Sequence, residues 1–159
     1  MSLEYRTDVS ASGLSQDQVQ ELFQSVKWPH AQVPERLMRA LAHSEILITA
    51  WDGERLVGLA NVVGDGEFYA YIHWLITHAD YQRRGIGRTL LAKLLAKLES
   101  RNQVFVFSEM RYASFWQQMD FVILSADTED PHGEPLVAGY RWHPIPGVRY
   151  ESNDEAEEF

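Results

Sequence analysis

The chain has 159 residues, a formal net charge of −9 and no cysteine. That length suits one domain, and the missing thiols exclude disulfides, thiolate metal ligands and a cysteine nucleophile. An acidic body argues against nonspecific nucleic-acid binding, which needs a basic face, and it is compatible with a cationic partner. Five acids lie in the last nine residues, so residues 146–159 are read as an acidic, frayed tail behind a single domain at 3–145. No apolar run approaches the roughly 20 residues of a membrane span. The N-terminus lacks the apolar stretch of a signal peptide. Together these features fit a protein of a reducing cytoplasm.

Residues 3–8 alternate weakly and predict a first strand. Ser15 with Gln18 three residues on is a capping-box signal, and Val19, Leu22, Phe23 and Val26 follow at helical spacing. Trp28-Pro29-His30 breaks that helix. Pro34 opens a second one, with Leu37, Met38, Leu41 and Ala42 on one face. Residues 46–51 predict a strand, Asp52-Gly53 a hairpin turn, and residues 56–63 the returning strand. Gly64-Asp65-Gly66 turns again into a third strand at 68–77. The period then changes. Ile86, Leu90, Leu91, Leu94, Leu95 and Leu98 share one helical face. A short strand at 104–107, an aromatic helix at 112–119 and closing strands at 121–124 and 136–142 complete the series, with a polar loop at 127–135. A meander followed by a βαβ crossover predicts an α+β fold, a mixed sheet with helices packed on it.

The stretch Thr77-His78-Ala79-Asp80-Tyr81-Gln82-Arg83-Arg84-Gly85-Ile86-Gly87-Arg88 joins a strand to a strongly amphipathic helix. A helix start offers unpaired amides and a positive dipole end. Glycines there let a diphosphate approach the backbone, and three arginines add charge. The spacing is not a Walker loop, and Leu90 stands where a dinucleotide fingerprint needs its third glycine. The turn alone therefore leaves two readings open: a phosphate site, or a basic glycine turn that merely caps a helix.

Gln82-Arg83-Arg84-Gly85-Ile86-Gly87 matches the Gln/Arg-x-x-Gly-x-Gly/Ala signature of the GNAT N-acetyltransferase superfamily, which the chain resembles. Residues 75–81 are similar to the family's fourth strand and following loop. Residues 113–121 are similar to its Phe-Tyr-x-x-x-Gly-Phe segment. Residues 22–26, 34–37 and 56–60 resemble the front half of a bacterial subgroup. The resemblance runs from about Leu14 to Phe121. It implies a mainly antiparallel central sheet of six or seven strands with helices on both faces. It also implies acetyl-CoA as cosubstrate. The diphosphate would lie on the backbone of Gln82, Arg83, Arg84, Gly85, Ile86, Gly87 and Arg88, and the pantetheine arm along Leu75, Ile76 and Thr77.

The family's catalytic tyrosine is Trp116 here, its glycine is Asp120, and an aspartate often seen on strand 4 is Trp74. An indole N–H donates a hydrogen bond but is no practical acid. Three readings of the leaving-group step remain: Tyr112, one turn before Trp116; a hydrogen bond from Ser114; or a thiolate that leaves without a protein acid. His73, on the strand that lines the acetyl site, is the first candidate base, beside the plainer reading of a half-buried strand histidine. Glu109 is the second, beside the plainer reading of a helix-start carboxylate. Trp28, His30, Trp74 and Trp116 are candidates for an acceptor pocket for an alkyl or aromatic amine, though any single tryptophan reads equally as core. No histidine spacing suggests a metal. The expected partner is a small-molecule or protein amine, not a membrane or nucleic acid, and the C-terminal strands of similar proteins often form homodimer contacts. A noncatalytic acyl-CoA-binding module of the same fold is the alternative.

Overall fold

The computed structural model describes residues 2–150; residues 151–159 of the expected tail lie outside the described residues. Strand β1 (Leu3–Arg6) leads to helix α1 (Gln16–Ser25), which opens where the Ser15 side chain accepts a bond from Gln18 N. Val19, Leu22 and Phe23 form its buried stripe. A 3-10 turn at Pro29–Gln32 precedes α2 (Pro34–Ala42), which has Pro34 at its start and buries Leu37 and Leu41. Strands β2 (Ile46–Asp52), β3 (Arg55–Gly64) and β4 (Tyr69–Thr77) form the antiparallel meander. Helix α3 (Ile86–Lys97) crosses over to β5 (Gln103–Glu109), which pairs parallel with β4. The short α4 (Ala113–Gln118) and the hairpin of β6 (Val122–Glu129) and β7 (Pro135–Trp142) follow.

Among the described residues, seven strands lie in the order β1-β2-β3-β4-β5-β7-β6 and are antiparallel except at β4–β5. Two cores cover the sheet. Ile86, Leu90, Leu91 and Leu94 of α3 and Trp116 of α4 pack with Ala70, Ile72, Val104 and Val106 on one face. Leu22 and Phe23 of α1 and Leu37 and Leu41 of α2 pack with Leu59, Trp74 and Ile76 on the other. Among the described residues, no helix is long and apolar enough to cross a membrane.

One expectation is corrected. The polar loop expected at 127–135 is shortened to 130–134, because β6 runs on to Glu129 and pairs it with Pro135. Asp130 makes the turn that short: its Oδ1 accepts from the amides of His132 (2.8 Å) and Glu134 (2.9 Å). After β7, Tyr150 folds back with its ring 5.5 Å from that of Trp142, and its hydroxyl accepts from Ile145 N.

Two irregularities shape the sheet. The β4–β5 pairing stops at Ile72↔Val106. Beyond that point β4 stays with β3 as far as Thr77, and β5 stays with β7 as far as Glu109. The sheet therefore splits between two neighbouring strands. On β3 the pairs Val62↔Ile72 and Asn61↔Trp74 leave His73 as an extra residue in β4. This bulge reverses the alternation, so Ile72 enters one core and Trp74 the other.

Candidate active site

The turn before α3 is built by backbone conformation. Arg83 (φ 62°) and Gly85 (φ 81°) are both left-handed, with Arg84 between them. Alternating hand of this kind curls successive amides into an anion-binding concavity. Gly85 is the N-cap of α3, and Thr89 N is bonded back to Gly85 O at 3.0 Å. The amides of Ile86, Gly87 and Arg88 fall in the first turn, where no intrahelical acceptor exists. A Cβ built at Gly87 would meet only Thr77 Oγ1, at 3.6 Å, so the space above this amide is open on the cleft side. The loop is tied to the body. Ala79 N donates to Ser25 Oγ (3.1 Å), Asp80 N to His78 Nδ1 (3.1 Å), and the Tyr81 hydroxyl to Asp52 Oδ2 (2.6 Å).

From this turn a cleft of about 1090 Å³ runs into the split between β4 and β5. Of the residues singled out in the sequence, it is lined by Trp28, His73, Leu75, Ile76, Thr77, Gln82, Arg83, Gly85, Ile86, Gly87, Arg88, Glu109, Tyr112 and Trp116. The others lie elsewhere. Arg84 stands over the Tyr81 ring at 5.1 Å, and Ser114 is exposed on α4 outside the lining. His30 and Trp74 sit behind Trp28: Trp74 is 5% exposed, and its ring lies 5.4 Å from His30 and 5.2 Å from Phe23.

The polar groups of the cleft differ in surroundings. His73 stacks on Trp74 at 4.1 Å and 21°. Burial, and then the nearby His30, lower its pKa from the ordinary histidine value. His30 is lowered by burial alone, and its Nδ1 is buried with no hydrogen-bond partner among the described residues. Both rings are therefore neutral at pH 7. Glu109 is ion-paired with Arg111. Arg88 holds Gln118 Oε1. Tyr112 is 49% exposed at the cleft, whereas Trp116 is 5% exposed and packs against Phe115 and Phe121. The family's glycine position is explained by Asp120, which takes φ 66° at the end of α4.

Sequence reasoning missed three kinds of residue. Asn61 pins the bulge: its Oδ1 accepts from Trp74 N (2.8 Å), and its Nδ2 donates to Ser44 Oγ (2.9 Å). Its one signal was a lone amide in an apolar strand. Lys27, left-handed at φ 61°, and Asp130 reach the rim from distant segments. Phe107 and Ser108 line the split from β5. Their signal was weak, since strand ends carry no spacing rule. Among the described residues, no group of three or more His, Asp or Glu side chains is placed to hold a metal.

The sequence profile of the Acetyltransferase (GNAT) family matches residues 14–121. The chloroplastic serotonin N-acetyltransferase 2 of Oryza sativa subsp. japonica is 30% identical over 138 residues, covering 83% of this chain and 66% of the rice protein. The chain thus spans just under two thirds of that relative. A GNAT-family acetyltransferase from Streptococcus pneumoniae TIGR4 superposes with a TM-score of 0.64 at 32% identity, over 77% of this chain and 88% of that one. The PaiA N-acetyltransferase of Thermoplasma acidophilum, solved in complex with coenzyme A, shares the fold with a TM-score of 0.63 at 18% identity, over 87% and 98% of the two chains. The profile match alone takes in more than half of the sequence, including the turn, the split strands and α4, and the chain belongs to the GNAT family of acyltransferases.

Proposed function

We propose that the chain transfers an acetyl group from acetyl-CoA directly to a primary amine, both substrates being held in one ternary complex. The observation that carries this reading is the placement of the first-turn amides of α3 at one end of a cleft whose other end is the β4–β5 split. The residues fit the coenzyme. Arg83, Gly85, Ile86, Gly87 and Arg88 would hold the diphosphate, and the edge of β4 at Leu75, Ile76 and Thr77, which lacks a β5 partner, would pair with the amides of the pantetheine arm. When bound, the coenzyme supplies the thioester whose carbonyl carbon accepts the amine lone pair, and the C–S bond then breaks to release the thiolate.

The chain's own residues handle the proton. An alkylamine is protonated at neutral pH, its pKa lying near ~10.4. His73, neutral and at the split, takes the proton directly or through one water. Glu109 is the lesser candidate, because Arg111 already occupies it. Trp116 packs against Phe115 and Phe121, and its indole is no practical acid for the thiolate. Tyr112 can approach the cleft, but it is half exposed, and a thiolate needs no acid to depart. The rice relative is named for serotonin; from it we carry over only a primary amine acceptor. The proposal takes the cytoplasm as the location; the rice relative is named as chloroplastic.

Trp116 in the core, where the family has its tyrosine, favours a second reading: a noncatalytic acyl-CoA-binding module. Steady-state thiol release across a panel of primary amines decides between them. The enzyme reading expects turnover that falls about 100-fold in His73→Gln and less than about tenfold in Tyr112→Phe. Saturable acetyl-CoA binding with no turnover on any amine supports the module.

A further inference from the structure

Helix α1 ends beside the cleft on a residue of unusual conformation. Lys27 N is bonded to Gln24 O (3.0 Å) and Trp28 N to Phe23 O (3.1 Å), so Lys27 stands where the chain turns out of the helix. It is left-handed, at φ 61°. Glycine is favoured at such a place, because a Cβ there crowds the following carbonyl oxygen. The chain keeps a lysine against that local cost.

Lys27 is exposed and lines the cleft with Ser25, Val26 and Trp28. Its neighbours fix where along the cleft it stands. On one side Ser25 Oγ accepts from Ala79 N (3.1 Å), just past the end of β4 at Thr77. On the other, the Trp28 ring leads through His30 (6.2 Å) and Trp74 (5.4 Å) to His73 (4.1 Å). Lys27 is thus beside the stretch of β4 proposed for the pantetheine arm, and its stem reaches roughly 6 Å at ~1.5 Å per bond. The sequence holds two other lysines, Lys93 and Lys97. Both lie on α3 outside the cleft lining: Lys93 stands over the Tyr5 ring at 5.6 Å, and Lys97 is bonded to Asp8 Oδ1 at 2.8 Å. Lys27 has no such ion pair among the described residues.

We propose that Lys27 is a self-acetylation site, the chain's own primary amine taking the acetyl group of acetyl-CoA bound in the same molecule. The proposal rests on the transfer reading only for the place of the coenzyme. Water at the exposed rim takes one proton from the ammonium, and the free Nζ attacks the thioester carbonyl carbon. The N–C bond forms, the C–S bond breaks, and the departing thiolate takes up the proton that the new amide nitrogen sheds. The products are acetylated Lys27 and coenzyme A. Amine and thioester are carried by one molecule, so the step is effectively unimolecular. Acetylation removes one positive charge from the rim that a cationic acceptor must pass.

Incubation of the full chain with acetyl-CoA, followed by intact-mass measurement and peptide mapping, tests this. One acetyl group is expected, on Lys27, formed at least about tenfold faster than on Lys93 or Lys97. Its first-order rate should hold over about a tenfold range of protein concentration, because the transfer is intramolecular. Excess coenzyme A should slow it at least about tenfold by occupying the turn. Lys27→Arg keeps the charge and the backbone conformation, and should lose the acetyl group with its melting temperature unchanged. An unmodified chain, acetyl groups spread evenly over the three lysines, or one on the N-terminal amine alone would overturn the proposal. So would a rate that rises in proportion to protein concentration or that coenzyme A does not alter. Thiol release on free amines with Lys27 unmodified would remove this site and leave the transfer reading standing. Acetylated Lys27 without turnover on any free amine would do the reverse.

Discussion

Gly85 and Gly87 lack side chains for two different reasons. Gly85 sits at φ 81°, where any Cβ is strained. Gly87 is free of that constraint, and an added methyl would meet only Thr77 Oγ1 at ordinary contact distance. Gly87→Ala should therefore keep the fold, with unfolding free energy unchanged or up to ~1 kcal/mol higher from helix propensity. The family signature admits alanine here, so Gly87→Ala should also keep its acetyl-CoA affinity, whereas the branched side chain of Gly87→Val would fill space over the first-turn amides and lower that affinity at least about tenfold. Thermal melting paired with equilibrium binding reads both effects; unchanged affinity in Gly87→Val would remove the coenzyme site from this turn. The second residue-scale prediction concerns His73. Burial and His30 lower its pKa, so the neutral, proton-accepting form is complete above the ordinary value of about 6.5 and is lost only at lower pH. The acid limb of kcat/KM should thus lie below pH 6.5 and disappear in His73→Gln, while any rise above neutrality follows the amine.

The bulge in β4 decides what the elements deliver to the cleft. It turns Trp74 into the α1–α2 core, although Ile72, of the same parity, faces α3. Asn61, 1% exposed, holds this arrangement with two side-chain bonds. Asn61→Leu would leave Trp74 N without that acceptor in a buried setting, which costs about 1–3 kcal/mol. Denaturant unfolding should show that loss. The catalytic rate should fall more than the affinity for acetyl-CoA, because the turn before α3 is anchored separately through Ser25, His78 and Asp52. An equal loss in both would mean that the bulge merely supports the fold. At α4 the same logic explains Asp120: the chain needs a left-handed residue to leave the helix, and aspartate tolerates that region better than most side chains.

For the whole molecule, two lowered histidines make stability depend on pH. His30 and His73 bind protons more weakly folded than unfolded. The unfolded chain therefore holds more protons just below pH 6.5, and stability rises with pH through that range. Their contribution is complete above the ordinary histidine value and is lost as pH falls through the lowered ones. Melting temperature should decline from pH 7.5 to 5.5, and His30→Leu, at the buried unpartnered Nδ1, should flatten that decline. A slope unchanged in the variant would assign it to carboxylates. Those titrate lower still; Asp65 and Asp130 are depressed by backbone amides that donate to them.

The sequence by itself determined the element order, the capped start of α1, the amphipathic α3 and the glycine turn before it, because each depends on contacts within a few residues. It also showed Trp116 where the family has its tyrosine. Only the tertiary structure decided what those parts do together. The β4–β5 split, the reversal of faces at His73, the burial of Trp116 and the exposure of Tyr112 depend on which strands pair and for how long. The aromatic face of β4 and β5 has the same origin. Tyr69, Tyr71, Phe105 and Phe107 read as ordinary strand residues, and they share one face because β5 pairs parallel with β4 and, among the described residues, the core under α1 and α2 holds no residue of β5.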